Sequence, residues 1–341
     1  MNKVRFGIVG TNFISDWLIK GALQDERFEA AAVCSRKEET AEAFAVKHGI
    51  PHTFTSLEAM AASPLVDAVY IATPNFLHAR QSILCLEQGK PVLCEKPLAS
   101  NAREASEMIR ASRQYGCALM EAMKPTLTPN FRAVQENLKR VGRLRRYFSS
   151  YCQYSSRYDK YKAGELPNAF NPDYSNGAMM DIGIYTLYPM IALFGRPLRI
   201  EATGICLPSG VDGQGAVNFS YEGMNATILY SKIADSFLPT EIQGEAGTLT
   251  LDRINSISSV RFSPRAKAAS GKGPAATSED LSRASAYDEY YYEVAEFISL
   301  IENGRRESSV NSQTNSLITL EVIDEIRRQL GVVYPADRQQ A

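Results

Sequence analysis

Short apolar runs alternate with amphipathic helical patterns over the first 121 residues, and this alternation limits the possible folds more than any other feature. The apolar runs lie at 3–9, 28–34, 66–72, 91–94 and 117–121. Helical spacing fills most of the intervals, and Gly49, Gly89 and Gly116 stand where helices are expected to end. Apolar runs this short, separated by helices, are typical of parallel strands with helices on both faces. The sequence therefore predicts an α/β domain with a doubly wound parallel sheet over residues 1–122.

The pattern changes after about Pro125. A helix is predicted near 130–138, a strand near 145–154 and a strongly apolar helix at about 178–194. Between Leu198 and Phe262, several strand-like runs are separated by Gly, Pro and Asn turns without helices, which is an antiparallel pattern. Two helices, 286–302 and 313–330, complete the pattern. We therefore predict a second α/β domain at 123–341. Its final helices pack either on this second domain or on the first one.

Composition excludes several classes of protein. A chain of 341 residues with a net charge of −1 has room for two domains and lacks the basic excess typical of nucleic-acid or membrane-surface binding. The first residues lack a secretory signal pattern, and the apolar stretch 182–195 is shorter than a membrane span. Six cysteines never form C-x-x-C, and three histidines lack a metal-ligand arrangement. We expect a cytoplasmic protein that takes a small-molecule substrate, without a metal, nucleic acid or membrane partner.

The segment GIVGTNFIS follows the first predicted strand. A dinucleotide-binding turn has the spacing G-x-G-x-x-G, and here those positions hold Gly10, Asn12 and Ser15. Backbone N–H groups and the helix dipole suit a pyrophosphate even without all three glycines, and Asn tolerates unusual backbone angles. We predict cofactor binding by Gly10, Thr11, Asn12, Phe13 and Ile14. The alternative is an ordinary turn between a strand and a helix, in a protein without a cofactor.

Two further segments follow predicted strands at the same edge of the sheet. An NAD site expects an acidic residue after the second strand, but Ser35 and Arg36 stand there, and they suit the 2′-phosphate of NADP. NADP is therefore the preferred cofactor and NAD the alternative, unless these residues are only a solvated strand end. After the next strand, Thr73, Pro74, Asn75 and His78 are predicted to contact the cofactor, and Asn75 is also expected to cap the next helix.

Two polar motifs are candidates for the chemistry. Pro97 keeps Lys96 extended, so Glu95 and Lys96 lie at the sheet edge, where a partly desolvated lysine exchanges protons with a substrate oxygen. Asp181 and Tyr185 are four apart in an apolar helix and therefore share a face. They are expected to bind a hydroxylated substrate beside Lys96. The alternatives are surface charge for Lys96 and a buried pair satisfied by backbone for Asp181 and Tyr185.

Taken in order, GIVGTNFIS, VCSR, ATPNFLH, CEKP and NGAMMDIGIYTLYPMIALFG resemble the Gfo/Idh/MocA family (glucose–fructose oxidoreductase, inositol dehydrogenase, rhizopine catabolism). The resemblance spans nearly the whole chain. It implies a Rossmann domain followed by an α/β domain with an open, mostly antiparallel sheet. Because that sheet often forms the dimer interface, a homodimer or homotetramer is expected. The implied activity is hydride transfer between NAD(P) and a sugar, polyol or related hydroxy or carbonyl compound.

The same resemblance implies roles for single residues. Lys96 and Asp181 match the catalytic lysine and aspartate, and Tyr185 takes the proton-donor position, where many members have His. The tyrosine version resembles the glucose–fructose oxidoreductase and dihydrodiol dehydrogenase branches, which tend to use NADP. Relatives commonly carry an aromatic residue and an arginine near Pro125 and Thr126, and their loss here leaves the substrate open. Tyr158 is a further candidate for substrate binding, and Glu95 for cofactor binding. The alternative function is a non-catalytic regulator that senses NAD(P) or a sugar.

Overall fold

The structure is a computed structural model that describes residues 3–265 and 277–338. Its strands are Val4–Val9 (β1), Phe28–Cys34 (β2), His52–Phe54 (β3), Ala68–Ile71 (β4), Val92–Glu95 (β5), Leu119–Ala122 (β6), Leu144–Cys152 (β7), Arg199–Cys206 (β8), Asp212–Tyr221 (β9), Met224–Ser231 (β10), Thr240–Gly244 (β11), Gly247–Leu251 (β12), Val260–Pro264 (β13) and Glu279–Asp280 (β14). Its α-helices are Phe13–Ala22 (α1), Glu38–His48 (α2), Leu57–Ala62 (α3), His78–Glu87 (α4), Ala102–Tyr115 (α5), Pro129–Asn137 (α6), Tyr158–Lys162 (α7), Ile184–Phe194 (α8), Glu289–Glu302 (α9) and Gln313–Leu330 (α10).

The chain divides into two compact units. The first contains the described residues up to Leu127, together with Ala286–Leu320 and those from Ala336 onward. Its six strands are all parallel, in the order β3-β2-β1-β4-β5-β6. This is the strand order of a Rossmann fold, in which ligands bind at the carboxyl ends where the order reverses, between β1 and β4. The predicted doubly wound parallel sheet is confirmed.

Large apolar side chains of the strands and helices form the core of this unit. Phe6 on β1 is fully buried, and its ring centre lies 5.0 Å from that of Phe28 and 6.0 Å from that of Phe297. Phe297 belongs to α9, so this late helix is part of the core of the first unit. The sequence predicts this helix as part of the second domain, with packing on the first domain as the alternative.

Element boundaries agree well where the local signal is strong. The bounds of β2 and α10 equal the predicted ones, and α2 and α5 end at Gly49 and Gly116 as predicted, because apolar patterns and capping glycines mark them. The sequence did not reveal β3 or α3, which have only three and six residues. Elements this short carry too few residues to display a period.

The second unit contains Thr128–Ser285, as far as it is described, and Glu321–Pro335. Its eight strands have the order β14-β13-β12-β11-β7-β10-β9-β8. Among these described strands, neighbours run antiparallel except β7 and β10, which are parallel. The predicted open, mostly antiparallel sheet is confirmed, with one parallel pair that the sequence pattern does not reveal.

A long apolar helical stretch packs on this sheet. In the described residues, the segment Pro172–Phe194 is long and apolar enough to cross a membrane by length and composition, but 72% of its most apolar window is buried within the protein. Gly183 makes close packing possible, since a Cβ there would lie 2.7 Å from Met179 Sδ and 3.0 Å from Tyr230 Cγ on β10. Burial of this kind is typical of a core helix.

Candidate active site

Gly10 ends the strand β1 and cannot carry a side chain in this conformation. Its φ is +104°, and a Cβ would lie 2.6 Å from the carbonyl oxygen of Ala72 at the end of β4. A glycine is required there for both reasons. The turn therefore lies close to the end of the neighbouring strand, and α1 begins directly after it. This cradle and the helix N-terminus fit a dinucleotide pyrophosphate.

Asn12 stands at the second glycine position, but not for the reason expected. Its φ of −94° and ψ of 176° are extended, so no unusual backbone angle is needed. Its Oδ1 caps α1 by accepting the N–H groups of Ile14 and Ser15, at 2.8 and 3.4 Å. Its Nδ2 donates to the Ala72 carbonyl oxygen at 2.6 Å. One amide thus fastens the turn to the helix and to β4.

Ser15 fulfils the packing role predicted for the third glycine position. It is fully buried, and its Oγ donates to the Gly10 carbonyl oxygen at 2.8 Å. Hydrogen bonds of the Asn12 and Ser15 side chains therefore stabilise the turn. Of the predicted cofactor contacts in this loop, the Ile14 amide already donates to Asn12.

Replacing Asn12 by alanine removes both the cap and the link to Ala72. We expect the free energy of unfolding to fall by about 2 kcal/mol, from the loss of an N-cap and an unpaired carbonyl. Asn12→Ser is the matched control, since serine keeps a capping oxygen and lacks the amide donor toward Ala72, and we expect a smaller loss. Urea denaturation of the three proteins measures this. Equal losses in both variants would contradict the assignment of a capping role.

Ser35 and Arg36 follow β2 and precede α2, as predicted. The Ser35 N–H donates to the Phe54 carbonyl oxygen at 3.1 Å, which fixes the end of β2 against β3, and Arg36 is exposed. The nearest acidic residue in sequence is Glu38, inside α2. The residues after β2 therefore fit the 2′-phosphate of NADP better than an unmodified ribose hydroxyl.

The loop after β4 contains one wrong prediction. Asn75 does not cap α4: it opens a short 3₁₀ turn, and the residue at the cap of α4 is Leu77, whose side chain cannot accept a hydrogen bond. The helix continues directly from the 3₁₀ turn, so a separate capping side chain is not needed. The predicted cofactor contacts of Thr73, Pro74 and Asn75 stay predictions.

His78 is buried and links two loops at the sheet edge. Its Nδ1 lies 2.8 Å from the Pro97 carbonyl oxygen, and its Nε2 lies 2.8 Å from that of Thr73. Burial lowers the pKa of His78, while its two backbone hydrogen bonds oppose the change. Because both ring nitrogens contact backbone, the geometry favours a positioning role over the predicted cofactor contact. His78 holds the residue that follows Lys96.

Glu95 and Lys96 stand where β5 ends, as predicted. Glu95 Oε1 accepts the Tyr70 hydroxyl at 2.6 Å, and its Oε2 accepts the Lys96 N–H at 3.2 Å. Burial raises the pKa of Glu95, while the positive charge of Lys96 lowers it. Lys96 itself is half-buried, so the lysine backbone is anchored while its side chain keeps some exposure.

Two further buried carboxyl groups in the first unit were not found from the sequence. Glu121 on β6 is 1% exposed, and its Oε1 accepts the Leu98 N–H at 3.0 Å. Glu293 on α9 is fully buried, and burial, followed by the negative charge of Glu95, raises its pKa well above its usual range. Burial raises the pKa of Glu121 to about 7. The local signal for Glu121 is a carboxyl inside an apolar strand, and that for Glu293 is a carboxyl on the apolar face of a helix.

Glu121 makes the stability of the protein depend on pH. Its pKa is about 7 in the native state, while an unfolded glutamate titrates near 4.3. In the interval between these values the native state holds a proton that the unfolded chain has lost, so stability falls as pH rises through it. Glu121→Gln removes this penalty. We expect the substitution to leave the free energy of unfolding almost unchanged at pH ~4.5 and to raise it by up to about 3 kcal/mol at pH ~8.

Urea denaturation at the two pH values tests the Glu121 prediction. Glu42→Gln is the matched control, because Glu42 is exposed on α2 and is expected to show the same difference at both values. A Glu121→Gln effect that does not grow between the low and the high pH would contradict the prediction.

Asp181 lies in a π-helical turn, Met179–Gly183, that leads into α8. Such turns are rare and are frequent at functional sites. Asp212, at the start of β9, holds this turn: its Oδ1 accepts the Ala178 N–H at 3.1 Å and its Oδ2 accepts the Met179 N–H at 2.7 Å. Gly177 has a φ of +151°, and a Cβ there would lie 2.2 Å from Asp212 Oδ1. The position of Asp181 is therefore built by a buried aspartate and a glycine.

Asp181 is paired with a lysine that sequence reasoning missed. Lys232 follows β10, and its Nζ lies 2.5 Å from Asp181 Oδ2. The Lys232 side chain is 3% exposed, whereas that of Asp181 is 35% exposed. The sequence contains a signal for the burial of Lys232. Every second residue of β10 is buried, and Lys232 continues this alternation after Met224, Ala226, Ile228 and Tyr230.

Aromatic side chains surround this ion pair within the second unit. Phe170 faces the Lys232 ammonium at 5.1 Å from the ring centre, and Tyr158 packs on Phe170 with ring centres 5.7 Å apart. Tyr185, in the first turn of α8, has an edge-to-face contact with Tyr151, with ring centres 5.8 Å apart. The structure thus connects the predicted residue Tyr158 to Asp181 through Phe170 and Lys232.

Each unit therefore presents one group of predicted residues. The first unit places the turn at Gly10, the end of β2 and Lys96 at the carboxyl ends of its parallel strands, where a dinucleotide binds in this fold. The second unit presents Asp181 and Tyr185 from successive helical turns, with Tyr158 nearby. A bound nicotinamide would supply hydride transfer, and these groups can hold hydroxyls and move protons. Among the residues that the structure covers, no group of three or more His, Cys, Asp or Glu side chains could hold a metal ion.

Comparison with protein families gives two matches. Residues 4–123 match the model described as "Oxidoreductase family, NAD-binding Rossmann fold", and residues 131–250 match the "GFO/IDH/MocA C-terminal domain". The two matches follow one another along the chain and together cover most of it.

Similar proteins cover the chain almost from end to end. It is 46% identical to the scyllo-inositol 2-dehydrogenase (NADP(+)) IolU of Bacillus subtilis, over 98% of this chain and 99% of that protein. It is 30% identical to the trans-1,2-dihydrobenzene-1,2-diol dehydrogenase of Danio rerio, again over 98% and 99%. Among solved structures, KijD10, a 3-ketoreductase from Actinomadura kijaniata, covers 96% of this chain and 98% of its own with a TM-score of 0.81. At 23% identity that last likeness concerns the fold alone.

Proposed function

Since the chain belongs to the Gfo/Idh/MocA family of oxidoreductases, we propose that it interconverts a ring CH–OH group and the corresponding ketone in a cyclic polyol of the inositol type, with NADP as the preferred cofactor. The chain is an NAD(P)-dependent oxidoreductase that acts on CH–OH groups of sugar-like or related small hydroxy compounds. The observation that carries the finer substrate class is the 46% identity, over nearly the whole length, with an NADP-dependent scyllo-inositol dehydrogenase.

The preference for NADP is supported by the residues after β2. Ser35 and Arg36 offer a hydroxyl and a guanidinium, which together suit a phosphate dianion. A carboxylate would repel that phosphate, and none lies between the end of β2 and Glu38. The proposed cofactor contacts in this region are therefore Ser35 and Arg36, with the turn at Gly10 taking the pyrophosphate.

Three side chains carry the proposed chemistry. A nicotinamide cofactor, which the turn at Gly10 and the residues Ser35 and Arg36 would hold, would supply reversible hydride transfer to and from the substrate carbon. During oxidation the phenolate form of Tyr185 takes the proton of the substrate hydroxyl, and during reduction the phenol form donates that proton to the carbonyl oxygen. Lys96 stabilises the negative charge that develops on that oxygen and assists the proton transfer. Asp181 accepts a hydrogen bond from a substrate hydroxyl and thereby orients the ring.

Initial-rate measurements test this function. The purified protein is given scyllo-inositol, myo-inositol or D-glucose with NADP or NAD, and the reduced cofactor is followed by its absorbance. We expect scyllo-inositol with NADP to give the highest kcat/KM. Absence of turnover with every polyol and sugar in both directions, in a protein that binds NADPH, would instead favour a regulator that senses the cofactor or a sugar.

We further propose that the protein is cytoplasmic and assembles as a homodimer or homotetramer through the sheet of the second unit. The six cysteines are free thiols, four of them buried, which suits a reducing compartment. Strand β8 is mostly exposed and carries Ile205, which is 52% exposed. Light scattering coupled to size-exclusion chromatography tests the assembly, and a monomer mass at micromolar concentration would contradict it.

A further inference from the structure

Lys232 is a buried cation to which the proposed chemistry assigns no role. Its Nζ lies 2.5 Å from Asp181 Oδ2, 3.4 Å from the Ala169 carbonyl oxygen and 5.1 Å from the centre of the Phe170 ring. A lysine ammonium has three donors and no acceptor, so an anion, a carbonyl and an aromatic face are suitable partners. Lys232 is therefore held in one place by protein groups.

Two carboxylates interact with the charge of Lys232, Asp181 by direct contact and Asp212 electrostatically. Asp212 is 1% exposed, and its two oxygens accept the N–H groups of Ala178 and Met179. The Asp181 side chain is 35% exposed, and one of its oxygens contacts Lys232. Asp212 is thus committed to the backbone of the π-helical turn, and Asp181 is the carboxylate that can meet a substrate.

We infer that Lys232 is a positioning residue for the reaction, which fixes Asp181 as an oriented, ionised acceptor for a hydroxyl of the substrate. This inference rests on the proposed function, because it takes Asp181 as a substrate-binding residue. An ionised carboxylate can only accept hydrogen bonds, whereas a protonated one also donates. A positive charge within about 4–6 Å favours the ionised form, so Lys232 keeps Asp181 an acceptor at neutral and mildly acidic pH.

A purely structural ion pair would behave differently. Its loss would lower stability and reduce activity by a similar factor at every pH. Loss of a positioning cation instead makes Asp181 easier to protonate, so activity falls most on the acidic side. The shape of the pH profile therefore separates the two roles.

The test compares Lys232→Met and Lys232→Arg with the wild type in kcat/KM for scyllo-inositol at saturating NADP, across about pH 3.5 to 9. We expect the acidic limb of the Lys232→Met profile to move to higher pH by about one unit or more, with the loss largest below neutral pH. Lys232→Arg keeps the charge and is expected to keep the position of the limb. Lys139→Met, at an exposed lysine of the same unit, is the matched control and is expected to leave the profile unchanged.

A second readout does not depend on turnover. The ¹³C signal of the Asp181 carboxyl, assigned by its loss in Asp181→Asn, is titrated in wild type and in Lys232→Met. Its midpoint is expected at higher pH in the variant, by about one unit or more. If Lys232→Met does not fold, Lys232→Gln, which keeps a donor toward Ala169, is taken through both measurements.

The outcomes separate this inference from the function on which it rests. A Lys232→Met profile reduced equally at every pH, with an unchanged Asp181 midpoint, would overturn the role of Lys232 while leaving the enzyme proposal intact. A wild type that turns over no polyol, with the midpoint still shifted, would overturn the proposed function and leave the control of Asp181 ionisation by Lys232 standing.

Discussion

Lys96→Met is expected to lower kcat by about 10²- to 10⁴-fold, the usual contribution of a positioned acid–base group. Methionine keeps the length and much of the volume of the lysine side chain, and it cannot hold a proton or a charge. The backbone of Lys96 is fixed independently by Glu95, which accepts its N–H, and by His78, which contacts Pro97. The loss should therefore reflect the missing ammonium, with little change in folding.

The control for Lys96→Met is Lys20→Met, at an exposed lysine in the last turn of α1. It is expected to keep turnover at the wild-type value. Steady-state rates, measured with calorimetric NADPH affinity, separate chemistry from cofactor binding. A Lys96→Met protein that retains most of the wild-type kcat would remove Lys96 from the proton-transfer step.

Tyr185→Phe is expected to lower kcat by at least about 10²-fold, because it removes only the phenolic oxygen that we propose moves the proton. The ring that packs edge-to-face on Tyr151 is kept, so the position of α8 should not change. The double variant of Lys96→Met and Tyr185→Phe shows whether the two residues act in the same step. If both residues act on one proton transfer, the double variant is expected to lose much less than the product of the single losses.

Tyr151→Phe is the matched control for Tyr185→Phe. Tyr151 is the other ring of the pair, and its hydroxyl donates to Gln153 Oε1 at 3.1 Å on the sheet. Its loss is expected to change kcat only a few-fold. Equal effects of the two substitutions would mean that the aromatic pair supports the helix and that Tyr185 does not transfer the proton.

The architecture of the first unit could be predicted because its signals are local and repeated. Apolar runs between amphipathic helices indicate parallel strands, and Gly49 and Gly116 do lie in the left-handed conformation at the ends of α2 and α5. The membership of α9 in this unit could not be fixed in the same way. It depends on Phe297 meeting Phe6, a contact between residues far apart in the chain.

The candidate site was predicted only where a residue acts through its place in a motif. Lys96, Asp181 and Tyr185 belong to recognisable motifs, whereas Lys232 and Asp212 matter through partners that only the fold supplies. Asn12 shows a third case: the residue was predicted, but for its tolerance of unusual backbone angles, which it does not adopt. Its amide geometry toward Ala72 follows from the neighbouring strand, which one sequence segment cannot reveal.

A common feature links these residues. Lys96 and Asp181 are each supported by buried polar groups: Glu95, held by Tyr70, accepts the Lys96 N–H, while Lys232 pairs with Asp181 and Asp212 fixes the backbone of the π-helical turn. Buried polar groups with satisfied hydrogen bonds have fewer available conformations than exposed ones. Such support is suited to chemistry that requires side chains held in fixed positions.

Cofactor binding, on which the proposed enzyme depends, is measured by calorimetric titration of the purified protein, freed of bound nucleotide, with NADPH and with NADH. We expect NADPH to bind with a micromolar or lower Kd and NADH to bind much more weakly, with the difference greatly reduced in Arg36→Ala. Each charge-assisted hydrogen bond to the 2′-phosphate is worth about 1.5–3 kcal/mol, or roughly 10- to 100-fold in Kd. Binding of neither nucleotide would mean that the turn with Asn12 and Ser15 does not hold a cofactor, and it would contradict the proposed enzyme.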